Sequence, residues 1–214
     1  FYINFVKNIK QSESRLSGKI SIYEMDEFST IEIDEEDDWI VAERLMYKNI
    51  LNKKLLPNIK LFLSDVDGTL TDAGMYYGEN GEELKKFNTH DGKAFELLKA
   101  AGIKTGIITS EKTKIVKNRA KKIKADFLYQ GLEHRGKLDI VKKICRKEKI
   151  TLEEVAYIGD DINCKELLEK VGVAACPFDA IKDIKEISKI VMVSKKGGNG
   201  AVREFAEFIL SNKI

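Results

Sequence analysis

Hydrophobic and polar positions follow one rhythm before residue 57 and another after it. Downstream, short apolar runs alternate with longer stretches of helical period, the pattern of a parallel sheet covered on both faces. Ile59-Lys60-Leu61-Phe62-Leu63-Ser64 reads as a buried strand that leads into a carboxylate-bearing loop. Further strands are predicted over 104–109, 126–129, 155–159, 173–176 and 190–193. Helices are predicted over 91–101, with Gly102 as its stop, and over 113–123, 137–147, 165–171 and 201–209. Residues 75–77 and 84–87, separated by Gly78 and Gly81, have the form of an antiparallel hairpin. Upstream lie an acidic run and a short helix over about 37–52. The break falls at Lys53-Lys54-Leu55-Leu56-Pro57, giving a front segment 1–56 and a domain 57–214. The fold class that follows is α/β, a doubly wound, Rossmann-like parallel sheet with a β-hairpin insertion and no large cap domain.

A chain of 214 residues has room for one ordinary α/β domain and an attached segment. No run approaches 18 uninterrupted apolar residues, so a membrane span is not expected. The start at Phe1-Tyr2 carries no secretory pattern and suggests that a segment lies upstream. Cys145, Cys164 and Cys176 are odd in number and widely spaced, which argues against a disulfide framework or structural zinc. A reduced, cytoplasmic protein is the expectation. The net charge of +2 hides an asymmetry: residues 24–43 hold ten acidic side chains, and all 37 basic ones lie elsewhere. A basic domain suits an anionic substrate, though scattered surface lysines give the same balance. No basic patch is interleaved with aromatics, so nucleic acid is not an expected partner.

Four polar signals fall at predicted strand ends, where ligands bind in open α/β sheets. Asp65-Val66-Asp67-Gly68-Thr69-Leu70-Thr71 places two carboxylates at a turn that Gly68 permits. Ile107-Ile108-Thr109-Ser110 ends an apolar strand in hydroxyls before a helix, a setting that suits phosphate. Lys137 begins its helix after Gly131, and Tyr157-Ile158-Gly159-Asp160-Asp161 ends a strand in a second acidic pair. Each signal alone has a plain structural explanation as a turn, a cap or a solvated charge. Their joint occurrence, in this order, does not. Neither His90 nor His134 sits near a hydrolase-like serine motif, which disfavours a Ser-His-Asp mechanism.

These four motifs resemble the haloacid dehalogenase superfamily from about Ile59 onward. The resemblance implies that Asp65 attacks phosphorus while Asp67 protonates the leaving alcohol and then activates water. It implies phosphate contacts from Thr109, Ser110 and Lys137. Asp65, the Asp67 carbonyl and Asp160 would hold Mg2+, with Asp161 in support. Oxygen ligands suit a hard cation, and its charge with that of Lys137 offsets repulsion between a carboxylate and a phosphate dianion.

The hairpin, Lys85-Lys86-Phe87-Asn88-Thr89-His90-Asp91-Gly92 and Gly197-Gly198-Asn199-Gly200-Ala201-Val202-Arg203-Glu204 together resemble the capless tetrameric phosphatases of this superfamily. These act on 3-deoxy-manno-octulosonate 8-phosphate or nonulosonate 9-phosphates. The likeness implies a homotetramer whose subunits close one another's sites, the Gly-rich stretch among the parts that do so. Read without it, Gly197 to Gly200 is a loop before a capped helix. Lys86, Asn88, Glu111 and Arg203 are candidate substrate contacts, Glu111 being equally well explained as an exposed helix-start residue. Glu111-Lys112-Thr113 looks more like the nonulosonate branch, while Ser110 in place of Gly departs from both patterns, so a sialic-acid-type 9-phosphate ranks first and the octulosonate 8-phosphate second. Gly18 to Met25, Ile33 to Asp38 and Ala42-Glu43 resemble the tail of acylneuraminate cytidylyltransferases, the acidic run reading otherwise as a solvated linker. A non-catalytic oligomerisation module of such a synthetase is the remaining alternative. No cytidylyl transfer is expected of this segment.

Overall fold

A computed structural model describes residues 5–12, 14, 19, 21, 32–42, 56–81, 83–132 and 136–212. The chain divides into two compact units, Phe1–Lys53 and Lys54–Ile214. In the first, α1 spans Val6–Ser12, a helix the sequence pattern does not anticipate. A second helix, α2, covers 36–42. The Asp38 carboxylate accepts the N–H groups of Asp34 and Glu35 at 3.1 and 3.0 Å, satisfying donors that precede the first turn. The remainder of the predicted 37–52 helix, most of Gly18 to Met25, and Glu43 lie outside the described residues.

The second unit begins with β1 (Leu61–Ser64), β2 (Tyr76–Tyr77), β3 (Glu83–Leu84), α3 (Thr89–Ala100), β4 (Lys104–Ile108), α4 (Lys114–Lys122) and β5 (Phe127–Tyr129). It continues with α5 (Gly136–Glu148), β6 (Val155–Ile158), α6 (Ile162–Leu168), β7 (Val173–Cys176), α7 (Lys182–Lys185), β8 (Val191–Met192) and α8 (Ala201–Ser211). Six strands form a parallel sheet in the order β5-β4-β1-β6-β7-β8. Chain direction across the sheet reverses at β1, between β4 and β6. That reversal opens a crevice beyond the carboxyl end of β1. Only the hairpin β2–β3 and α3 separate β1 from β4, so no large cap is present there.

β1 is held from both faces because its side chains alternate. Leu61 and Leu63 pack in one cluster with Leu138, Val141 and Ile144 of α5 and Leu167 and Leu168 of α6. Phe62 points the other way, its ring 5.8 Å from Phe95 of α3 and 5.8 Å from Phe205 of α8. Each such side chain contributes about 1.5–3 kcal/mol on burial. The chain therefore leaves Ser64 from a fixed point.

Boundaries shift where capping chemistry intervenes. α3 starts at Thr89 rather than 91 because the Asn88 carboxamide accepts the His90 N–H at 2.8 Å. α6 starts at Ile162 rather than 165 because Asp161 caps it, accepting the Ile162 N–H at 2.6 Å. β3 ends at Leu84 rather than 87, since the next residue turns its side chain inward. α7 is an additional short helix. Among the described residues, no helix is long and apolar enough to cross a membrane.

Candidate active site

Asp65 is the first residue past β1, and its N–H still donates to the Ile158 carbonyl of β6 at 3.0 Å. The residue is only 4% exposed. Its Oδ1 accepts the Val66 N–H at 2.8 Å, and Oδ2 lies 2.5 Å from the Lys137 ammonium. Lys137 enters from the first turn of α5 and is itself buried. Its Nζ also meets Cys164 Sγ at 3.2 Å and the Tyr157 hydroxyl at 3.4 Å. Burial works most strongly against this ammonium, but Asp65 and Cys164, by charge and hydrogen bonding together, outweigh it and raise the Lys137 pKa. Lys137 is thus a fixed positive charge.

Asp160 follows β6 and accepts the Thr69 hydroxyl on Oδ1 at 3.1 Å. Oxygen atoms of Asp65 and Asp160 and the sulfur of Cys164 all lie within 4.8 Å of one another. Burial, and then the Asp65 charge, push the Asp160 pKa up to about 7. A buried and a half-buried carboxylate this close call for more positive charge than one lysine brings, and their oxygen donors fit a hard divalent cation. Cys164 does not add a third hard ligand, because burial and Asp65 hold its thiol pKa well above the ordinary value.

Backbone shape makes this closeness possible. Gly68 has φ +73°, and a Cβ there would stand 1.9 Å from Asp160 Oδ2. Gly197 seats against the same loop: its Cβ would lie 2.0 Å from the Gly68 carbonyl oxygen. The neighbouring Gly198 N–H donates to the Thr69 carbonyl at 3.0 Å. The Gly-rich stretch is therefore engaged with the first motif of its own chain.

A second cluster surrounds Asp67. Its Oδ1 lies 2.5 Å from Lys85 Nζ, which is also 2.5 Å from Glu111 Oε2. Burial raises the Asp67 pKa, with Lys85 opposing and Glu111 and Asp65 adding to the rise. Thr109 is buried at the end of β4, its hydroxyl accepting the Glu111 N–H at 3.2 Å. Ser110 Oγ accepts from the Asn163 side chain at 3.2 Å.

The remaining candidates have other partners. Asp161 caps α6, and Cys164, one helical turn after Asp160, stands with the acidic pair instead. Lys86 points outward to Asp72 at 2.9 Å, while its neighbour Lys85 takes the inward place. Asn88 caps α3 through its side chain, and its carbonyl accepts Arg119 Nη2 at 2.7 Å. Arg203 pairs with Glu207 of its own helix at 2.7 Å, and its N–H donates to buried Asp91 at 2.9 Å. Sequence reasoning missed Lys85; the signal that bears on it is its shared parity with apolar Phe87, which the structure half-buries. The three cysteines are buried free thiols.

Comparison with known proteins agrees with this architecture. Residues 74–176 match the family model described as haloacid dehalogenase-like hydrolase. The chain is 38% identical over 157 residues to the 3-deoxy-D-manno-octulosonate 8-phosphate phosphatase KdsC of Escherichia coli K12, covering 72% of this chain and 80% of the relative. The corresponding Moraxella catarrhalis phosphatase, solved in complex with a magnesium ion, a phosphate ion and KDO, superposes with a TM-score of 0.72. It is 34% identical, over 77% of this chain and 92% of that one. The Yersinia pestis 3-deoxy-D-manno-octulosonate 8-phosphate phosphatase gives a TM-score of 0.68 at 35% identity, over 72% and 83% of the two chains. With strand-end carboxylates, a buried lysine and these relatives in agreement, the chain belongs to the haloacid dehalogenase-like hydrolases, among the KdsC-like phosphatases, and is a phosphomonoester hydrolase.

Proposed function

We propose that this protein is a Mg2+-dependent phosphatase of an acidic sugar phosphate, with 3-deoxy-D-manno-octulosonate 8-phosphate as its substrate. The observation that carries the reading is the Asp65–Lys137–Asp160 centre beyond the end of β1, in which Asp65 and Lys137 are buried and Asp160 half-buried. The KdsC relatives favour the eight-carbon substrate.

Asp65 attacks phosphorus, forming an Asp65–O–P bond as the bond to the sugar oxygen breaks. Asp67, its pKa raised by burial, delivers its proton to that departing oxygen. It then takes a proton from water as the water attacks phosphorus, releasing inorganic phosphate and restoring the Asp65 carboxylate. Lys137, Thr109 and Ser110 bind the phosphoryl oxygens. Asp65, Asp160 and the Asp67 carbonyl would hold Mg2+, which when bound would supply charge neutralisation between carboxylate and phosphate.

A nonulosonate 9-phosphate is the second reading, favoured by Glu111-Lys112-Thr113 and by Glu111 sharing Lys85 with Asp67. The sequence alone ranks it first, and the relatives weigh the other way. The domain reading proposed here makes 1–56 a cytidylyltransferase-like tail and linker, and 57–214 the phosphatase, in a cytoplasmic homotetramer. Phosphate release is measured from both sugar phosphates, with and without Mg2+. Faster turnover of the eight-carbon compound, lost on chelation, is expected; faster turnover of the nine-carbon one reverses the substrate assignment. Release from neither removes the functional reading.

A further inference from the structure

We propose that Lys85 is a positioning residue for phosphoryl transfer: from the foot of the hairpin, its buried ammonium fixes the Asp67 carboxyl against Glu111. The inference rests on the phosphatase reading above.

Exposure alternates along this segment. Leu84 is 66% exposed and the Lys86 side chain 56%, yet the Lys85 side chain between them is wholly inaccessible. A charge withdrawn from water persists only where partners replace the water. Asp67 Oδ1 and Glu111 Oε2 each lie 2.5 Å from Lys85 Nζ, and Glu83 Oε1 lies 3.8 Å away. Acidic groups from β3, the loop after β1 and the stretch after β4 therefore meet at one cation. An ammonium offers three donors and no acceptor, so two short bonds define where it sits and where both carboxyls point.

This placement bears on the chemistry. Asp67 must bring one oxygen within hydrogen-bond reach, about 3 Å, of the departing sugar oxygen and later of water. Lys85 engages Oδ1 and leaves Oδ2 to carry the proton. Without the ammonium, the Asp67 and Glu111 carboxylates repel each other. Both are about one-third exposed, so they are free to swing toward water. Among the described residues the hairpin pairs Tyr76 with Leu84 and Tyr77 with Glu83, and the ion cluster ties it to the site.

Lys85→Met keeps the side-chain length and removes the charge. The test compares kcat/KM for 3-deoxy-D-manno-octulosonate 8-phosphate, whose alkoxide needs a proton, and p-nitrophenyl phosphate, whose nitrophenolate leaves without one. This parameter covers the steps up to leaving-group departure, so it isolates the first role of Asp67. Positioned acids are worth about 10²–10⁴-fold. The expected loss is about a hundredfold on the sugar phosphate and less than about tenfold on the nitrophenyl ester. Lys85→Arg retains the charge, and with it the fold, but displaces it. It is expected to keep the same preference, with about a tenfold loss on the sugar phosphate. Equal losses on both substrates, or no loss on either, overturn the inference and leave Lys85 as a brace for the hairpin. Should Lys85→Met fail to fold, the Arg variant decides by the same criterion. If the unaltered enzyme releases phosphate from neither compound, the phosphatase reading falls and takes the inference with it.

Discussion

Lys137 and Lys85 are both buried ammonium groups, held by aspartates two residues apart in the chain, yet they stand on different ground. Lys137 rises from the first turn of α5, whose Leu138, Val141 and Ile144 lie in the core. Lys85 follows a two-residue strand in a hairpin whose Tyr76, Tyr77 and Leu84 are largely exposed. The Asp65–Lys137 end of the site, to which phosphate handling is assigned in the proposed mechanism, is thus continuous with the sheet, and moving it means moving the core. The leaving-group end rests on an excursion with little packing of its own, a place where local stability is low. The contrast teaches that the two carboxylates of one short loop can be held by parts of unequal rigidity within one small crevice.

The largest expected effect breaks the sheet-anchored end. Asp65→Asn removes the proposed nucleophile and is expected to leave turnover below about 10⁻³ of the parent rate, with an unchanged circular dichroism spectrum. Persistent turnover would rule out covalent attack by Asp65. Lys137→Met is expected to lower kcat about 10²–10³-fold. It also leaves Asp65 as a buried charge without its partner, which costs about 3–5 kcal/mol in urea unfolding without metal. Lys85→Met should destabilise the fold by much less, since Asp67 and Glu111 can be rehydrated. Equal destabilisation by the two lysine changes would erase the contrast between the ends. Mg2+ at about a hundred times its Kd should add about 2.7 kcal/mol to stability, and Asp160→Asn should abolish that gain. A full Mg2+ response in Asp160→Asn would move the metal site elsewhere. The smallest effect belongs to the outward lysine: Lys86→Ala should leave kcat/KM unchanged within about twofold. A larger fall would return Lys86 to the site.

What the sequence disclosed follows the same division. β1, β4 and β6 are apolar runs ending in Asp65, Thr109 and Asp160, so strand ends and chemistry coincide in the linear text. The topology then brings Asp65 and Asp160 together without further information. Lys85 and Lys86 differ only in parity along a short extended segment, and side-chain direction there depends on tertiary docking. Cys164 was obscured because a lone cysteine carries no pattern of its own. Its meaning came from α6 beginning early at Ile162, which places the thiol one turn past Asp160. Asn88 and Asp161 looked like ligands because cap residues and ligands draw on the same polar side chains.

The seating of Gly197 and Gly198 on the loop that carries Asp65 and Asp67 has a consequence for biogenesis. A ribosome delivers the nucleophile early and the glycines that support its loop only just before the final helix. The nascent polypeptide can pack Leu63 against α5 and α6, but Phe62 waits for Phe205 and the floor beneath Asp65 and Asp67 waits for Gly197 and Gly198. Completion of the site therefore depends on a segment that lies more than a hundred residues downstream of the carboxylates it supports.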